Sequence, residues 1–342
     1  MRRKNWWLAG GALVVGASQS LVSFAFRQVT CAKKQTNQQC LDAQEKAGAL
    51  QLAEMTDLPR RRIDIESRDG LRLRGWLLPG QQPVQKVIIL VHGYTAAASW
   101  MLHLALPFLR RGWTVLLVDQ RAHGASEGRY ASYGYHEKHD LNRWVNWVVQ
   151  QYGEQVIIGL LGQSMGGGTV LEYAALNRHA AFIVADCAYS DLKQLIAYQI
   201  GSLHHLPVRP LLQLLDRQLR RRVGFGLLDV SPLSTITRYA DLPVMFIHGE
   251  DDTFVPTRMS IEMFLQKPGR KKLLIIPGAG HARAHITDAA TYERELFAFI
   301  AEALAEKELD SVSESGRFAD LQGEPEAATS PGPNVCLPII TS

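Results

Sequence analysis

The sequence predicts an open, mostly parallel α/β sheet with helices on both faces and a small helical lid insertion. Three observations carry that expectation. Six short apolar runs alternate with segments of helical spacing. A hairpin pattern precedes the first of them. A Gly-x-Ser-x-Gly turn joins one run to the helical pattern behind it.

The hairpin comes first. Ile63-Asp64-Ile65 alternates apolar and polar, and so does Leu71 to Leu77, with Asp69-Gly70 as the turn between them. The apolar runs are Val87–Val91, Thr114–Val118, Val156–Leu161, Phe182–Ala185, Val244–Ile247 and Lys272–Ile276. Uninterrupted runs of this kind suit parallel strands buried on both faces. Helical spacing falls near 100–110, 137–151, 166–177, 257–265 and 286–305. The interval from Asp186 to Leu242 breaks the alternation. It holds helical patches, including Leu211–Leu215, and no strand signal, so about 190–240 is expected to form a lid over the sheet's carboxyl edge. The main α/β domain is thus 59–305. Residues 27–58 read as a polar, partly helical linker, and 306–342 as a disordered tail.

The N-terminus reads differently. Arg2, Arg3 and Lys4 precede an uncharged stretch from Trp6 to Phe26, long enough to span a bilayer as a helix. Residues 1–26 are therefore expected to be a membrane anchor that leaves the domain outside the cytoplasm. The alternative is a signal segment, cut after Ala17 or Ala25, and a secreted protein. A buried core helix is disfavoured, because no strand pattern flanks it. Cys31 and Cys40 would close a small disulfide loop in an oxidising compartment, and the default is two free thiols. No C-x-x-C pair points to zinc or redox chemistry. The net charge of +4 comes without a long basic stripe, so nucleic acid is not an expected partner.

Gly162-Gln163-Ser164-Met165-Gly166 directly follows the run Val156–Leu161 and precedes a helix. A serine on such a sharp turn has its hydroxyl lifted above the sheet, at a helix N-terminus that favours developing negative charge. Ser164 is the candidate nucleophile. The bland alternative is a glycine-rich turn whose serine only caps a helix. His92-Gly93-Tyr94-Thr95 ends an earlier strand. The backbone N–H groups of Tyr94 and Met165 are the expected oxyanion hole, with the Tyr94 hydroxyl as a further donor. His281, in Pro277-Gly278-Ala279-Gly280-His281, is the candidate base, with His285 one turn later as runner-up. His92, His123 and His248 read as scaffold. For the acid, Asp252 is preferred, with Asp251 and then Asp186 behind it. The order Ser164, Asp252, His281 suits this sheet type.

These residues resemble the α/β-hydrolase superfamily over roughly 60 to 303. The resemblance rests on the serine turn, on Asp119 to Ser126 (D-Q-R-x-H-G-x-S), and on His248-Gly249 with Asp252, Val255 and Pro256. Gly280-His281 completes it. Tyr133-Gly134-Tyr135 with Glu137, Asp140 and Leu141, and Ala185 to Asp191, are similar to bacterial, membrane-anchored hydrolases related to serine aminopeptidases. The resemblance implies Asp252 as acid and His281 as base, where spacing alone leaves Asp251 and His285 open. The expected activity is cleavage of an ester, thioester or amide through an acyl-enzyme, carboxylesterase or lipase-like first and peptidase or acyl-aminopeptidase second. Its partner would be a small-molecule or peptide substrate bearing an acyl group. No cofactor or metal is implied. A non-enzymatic surface binding protein on the same fold is the alternative of another class. A halide-displacing relative would need an aspartate where Ser164 stands, and no Walker lysine follows Gly166-Gly167-Gly168.

Overall fold

The computed structural model describes residues 20–31, 33–49, 58–176 and 179–320, with side chains as far as 305. The hairpin forms as expected. Strand β1 (Arg61–Glu66) pairs antiparallel with β2 (Arg72–Leu78), Ile63 opposite Gly75 and Ile65 opposite Leu73. Six strands follow: β3 (Lys86–Val91), β4 (Thr114–Val118), β5 (Ile157–Gln163), β6 (Ala180–Asp186), β7 (Val244–Gly249) and β8 (Lys271–Ile276). They build one eight-stranded sheet in the order β1-β2-β4-β3-β5-β6-β7-β8. The hairpin joins it through antiparallel β2–β4 pairing, and every later pair is parallel. Every residue of β4 and β6 is buried, which accounts for their uninterrupted apolar runs. Edge strand β8 is half-buried along most of its length.

Strand order reverses at β3, which has β4 on one side and β5 on the other. Chain segments leaving β3 and β5 therefore diverge and leave a crevice at their carboxyl ends. The serine turn follows β5, and His92-Gly93-Tyr94 follows β3.

Helices occupy the intervals with 3.6-residue spacing. They are α3 (Leu102–Leu109), α4 (Glu137–Tyr152), α5 (Met165–Tyr173), α9 (Arg258–Gln266), α10 (Ala284–Thr287) and α11 (Ala289–Asp320). The tail expected to be disordered from 306 is helical as far as Asp320, and 321–342 lies outside the described residues. The chain divides into two units, Met1–Ala303 and Leu304–Ser342.

The N-terminal part departs from expectation. Residues 20–31 form helix α1, and Asn37–Lys46 forms α2. Val22, Phe26 and Thr30, four residues apart on one face of α1, are buried against protein. The expected span Trp6–Phe26 lies outside the described residues as far as residue 19, and its remainder is the start of α1. Among the described residues no helix is long and apolar enough to cross a membrane. Residues 33–49, read as linker, are hydrogen-bonded to the segment after β3. Gln35 N donates to Thr95 O at 2.7 Å, Ser99 N to Asn37 Oδ1 at 3.0 Å, and Gln44 Nε2 to Ser99 O at 2.7 Å. Cys31 and Cys40 are free thiols.

Between β6 and β7 the chain forms the predicted helical insertion, with α6 (Leu192–Tyr198), a π turn, α7 (Val208–Arg222) and α8 (Pro232–Ile236). Helix α7 is amphipathic. Leu211, Leu212, Leu215 and Leu219 are buried, and Arg220, Arg221 and Arg222 end it, where cations complement the helix dipole. Its buried face shares one apolar cluster with Val22 and Phe26 of α1 and with Met165. Glu172 of α5 accepts from Ser231 N at 2.9 Å and pairs with Lys138 at 2.9 Å, which ties the end of the insertion to the helix behind the serine.

Candidate active site

Ser164 stands between β5 and α5 with φ 56° and ψ −116°, a conformation that costs a non-glycine residue free energy. The turn is kept by its neighbours. A Cβ on Gly162 would lie 2.1 Å from Gly166 O, and one on Gly166 would lie 2.0 Å from Val91 O. Both positions are therefore restricted to glycine by backbone packed against backbone. Ser164 N donates to Asp186 O at 2.8 Å, and Gly168 N donates to Ser164 O at 3.0 Å.

The loops after β7 and β8 are stitched together. Glu250 N donates to Ile276 O at 2.9 Å and Asp251 N to Ala279 O at 3.0 Å. This brings Asp252 and His281 to one place although they lie 29 residues apart. His281 Nδ1 lies 2.6 Å from Asp252 Oδ2, and Nε2 lies 2.9 Å from Ser164 Oγ. A carboxylate only accepts, so Nδ1 carries the hydrogen and Nε2 is left to accept from the serine hydroxyl. Phe254 stands beside this pair, its ring centroid 5.0 Å from that of His281.

Asp252 is fully partnered. Its Oδ1 accepts from Phe254 N and Val255 N, both at 2.9 Å, and its Oδ2 also lies 3.2 Å from His248 Nε2. Burial pushes its pKa up, but the hydrogen bonds from His248, His281 and the Val255 amide outweigh burial and hold it well below the usual carboxylate range. Asp252 is thus a fixed anion behind the imidazole. Asp251 is exposed. Asp186 is buried beneath the site, accepting from Gln163 Nε2 at 3.1 Å and Tyr292 Oη at 3.3 Å. Burial raises its pKa to about 6 against those two hydrogen bonds.

The other histidines stand where scaffold residues would. His92 is buried, with Nδ1–H donating to Gly93 O at 2.7 Å and Nε2 accepting from Gln120 N at 3.1 Å. His123 Nδ1–H donates to Arg121 O at 2.9 Å, and its Nε2 accepts from Thr95 N at 3.2 Å. Burial lowers the pKa of both, which suits neutral rings holding loops. His248 joins Ser260 Oγ at 2.7 Å to Val255 O at 2.9 Å and so shapes the turn that carries Asp252. His285, the runner-up base, lies 3.4 Å from Glu293 and packs its ring on Tyr292, with no bond to Ser164.

Gly93 packs directly on the serine: a Cβ there would lie 3.1 Å from Ser164 Cβ. Tyr94, the next residue, shares the cavity with Ser164, and Met165 opens α5 on the other side of the serine. The Tyr94 hydroxyl, expected as a further donor to the oxyanion, donates instead to Gln28 O of α1 at 2.8 Å.

A cavity of about 870 Å³ opens above Ser164 and His281. The insertion walls it with Ile196, Ile200, Leu211 and Leu215. Helix α1 walls it with Leu21, Phe24, Ala25 and Gln28. The α1 wall was missed by sequence reasoning, which took the apolarity of 20–26 as a sign of lipid. The one sequence signal for it is the four-residue spacing of Val22, Phe26 and Thr30.

The alpha/beta hydrolase fold family matches residues 86–192. The uncharacterized protein YqkD of Bacillus subtilis is 31% identical over 300 residues, covering 87% of this chain and 97% of its own. The monoglyceride lipase of Saccharomyces cerevisiae is 25% identical over 272 residues, covering 64% of this chain and 86% of its own. Among solved structures, the Pyrococcus furiosus esterase Pf2001 has a TM-score of 0.60 at 23% identity, covering 74% of this chain and 96% of its own. The sheet order, the strained serine turn after the fifth strand and these similarities agree, and the chain belongs to the alpha/beta hydrolase superfamily.

Proposed function

We propose that this protein is a serine hydrolase that cleaves carboxyl esters through an acyl-enzyme on Ser164. The hydrogen-bonded line Ser164–His281–Asp252 carries the reading. Ser164 Oγ attacks the ester carbonyl carbon as His281 Nε2 takes its proton. The imidazolium so formed is stabilised by the Asp252 carboxylate. The negative oxygen of the tetrahedral intermediate is received by the N–H groups of Tyr94 and Met165. His281 then gives its proton to the leaving alkoxide, and water repeats the sequence to release the acid. None of these steps calls for a metal or an organic cofactor. The esterase and monoglyceride lipase among its relatives, and the apolar cavity above the serine, support an ester substrate.

A fluorophosphonate probe tests the nucleophile. Labelling at Ser164 that disappears in Ser164→Ala is expected, and a folded protein that takes no label would remove the reading. Turnover of p-nitrophenyl acyl esters against dipeptide amides ranks the substrate classes. Dipeptide cleavage with negligible ester turnover would favour the peptidase, to which the resemblance around Tyr133 and Asp186 points. We also propose that 59–305 is the hydrolase domain, with 190–240 as its lid. With residues 20–26 taken up in α1, membrane attachment with that domain outside is supported by Arg2, Arg3 and Lys4 and the uncharged residues between them and α1. Recovery of the full chain only in the soluble fraction would remove that localisation.

A further inference from the structure

We propose that helix α1 is a wall of the substrate site, and that the substrate carries a long hydrocarbon chain which Leu21, Phe24 and Ala25 cover. This rests on the assignment of Ser164 as nucleophile, because the scissile carbonyl must then lie at the floor of the same cavity.

Two stripes of α1 face different things. Val22, Phe26 and Thr30 are buried against protein. Leu21, Phe24 and Ala25 lie on the neighbouring stripe and line the cavity that holds Ser164 and His281. Three separate elements hold the helix in place. Tyr94, beside the serine, donates its hydroxyl to Gln28 O at 2.8 Å, and Ala131 N donates to Thr30 O at 3.0 Å. Both acceptors lie in the last turn of the described helix, where carbonyls lack intrahelical partners. The Arg222 guanidinium, at the end of α7, stands 5.0 Å from the centre of the Phe26 ring. The wall is therefore anchored both to the predicted oxyanion loop and to the insertion.

The chemistry of the wall selects the ligand. The insertion lines the same cavity with the aliphatic Ile196, Ile200, Leu211 and Leu215, while Gln28, Thr95, Gln199 and His204 supply its few polar side chains away from Ser164 and His281. The volume of about 870 Å³ lies near the top of the range for small-ligand sites, roughly 300–1,000 Å³. Phe24 is 59% exposed and Leu21 39% exposed. Apolar side chains that line a cavity while open to water lose that exposure when a chain fills it. A polar or peptide substrate would leave most of its hydrogen-bonding groups against apolar side chains, at a cost. A hydrocarbon chain on the acyl side and one on the alcohol side of the ester would meet the same walls.

The test uses the full-length protein. In one arm, p-nitrophenyl esters run from acetate to laurate. In the other, the chain is moved to the alcohol side, in acetates of ethanol to dodecanol. In at least one arm kcat/KM is expected to rise by up to about fourfold per methylene until the cavity is filled. Ala25→Trp, which fills the cavity, and Phe24→Ser, which removes apolar cover at an exposed position, are both expected to lower the ratio of long-chain to short-chain kcat/KM by about tenfold or more. A separate binding readout does not depend on turnover. Ser164→Ala is titrated with dansyl-undecanoic acid, alone and combined with each α1 substitution, and the α1 changes are expected to weaken binding. Ester turnover that ignores both chain length and the α1 substitutions would overturn the wall and leave the nucleophile standing. Probe binding that responds to α1, with no turnover of any ester and no fluorophosphonate label, would overturn the nucleophile and leave the wall. Phe24→Ser keeps the proposal open to refutation if Ala25→Trp does not fold.

Discussion

The hydroxyl of Tyr94 donates to the carbonyl of Gln28 at 2.8 Å and so joins the loop beside the candidate nucleophile to the helix that walls its cavity. In the proposed mechanism Tyr94 acts on the substrate through its backbone N–H alone. Tyr94→Phe keeps that N–H and removes the hydroxyl. It should cost about 1 kcal/mol of stability and less than about tenfold in kcat. Loss of an oxyanion donor costs about a hundredfold or more, so a fall of that size on steady-state assay would show the hydroxyl acting on the substrate.

Asp251 and Asp252 are adjacent in sequence and should differ sharply in effect. Asp252→Asn replaces the acceptor of the 2.6 Å bond from His281 Nδ1, favours the wrong tautomer, and should lower kcat by about ten-thousandfold. Asp251→Asn changes an exposed side chain and should stay within about twofold, as surface substitutions away from such networks usually do. Equal losses in the two variants would contradict the acid assigned here.

The two candidate bases separate in the same way. His281→Gln should bring ester turnover down by about four to six orders of magnitude. His285→Gln disturbs a half-buried contact with Glu293 and packing on Tyr292. It should lower the melting temperature by a few degrees, about 1 kcal/mol, while kcat changes only a few-fold. Thermal unfolding and kinetics measured on the same samples decide it.

Gly166 has no room for a side chain, since a Cβ there would lie 2.0 Å from Val91 O. Gly166→Ala should destabilise the protein by about 1–3 kcal/mol, the range for overpacking. Because β3 and the serine turn would be pushed apart, turnover should fall as well. Chemical denaturation that finds wild-type stability would contradict the close approach.

Asp186 is buried, and its pKa stands at about 6 when folded, above about 3.9 for the unfolded chain. Between those values the folded protein holds a proton that the unfolded chain has released. Its contribution to stability is therefore full below pH 4 and is lost as pH rises through 6. The change is on the order of 1–3 kcal/mol. Asp186→Asn should remove this part of the pH dependence, seen as a flatter difference curve against wild type in denaturant unfolding from pH 4 to 7.

Much of the fold was legible because its signals are local. The apolar runs and the Asp69-Gly70 turn each depend on neighbours within a few residues, and the strand ends fall within two residues of the expected runs. Ser164 was legible for the same reason, since strand, turn and helix are adjacent in the chain. The choice of Asp252 over Asp251, and of His281 over His285, was not. Spacing along the chain says nothing about which carboxylate turns inward. That was decided when the loops after β7 and β8 were bonded to each other, placing one carboxylate among His248, His281 and the Val255 amide and leaving its neighbour in water.

Residues 20–26 mark the limit most plainly. The sequence by itself determined that apolar side chains such as Val22 and Phe26 would be driven from water, because that drive acts wherever they lie in the chain. It could not determine what covers them, since lipid and protein satisfy that requirement equally. Only the tertiary structure supplied the partners: the buried leucines of α7 and Met165 cluster with Val22 and Phe26, and a Tyr94 hydroxyl, an Ala131 amide and an Arg222 guanidinium hold the helix there. Burial is a demand made by local composition, and its answer comes from contacts that span the whole chain.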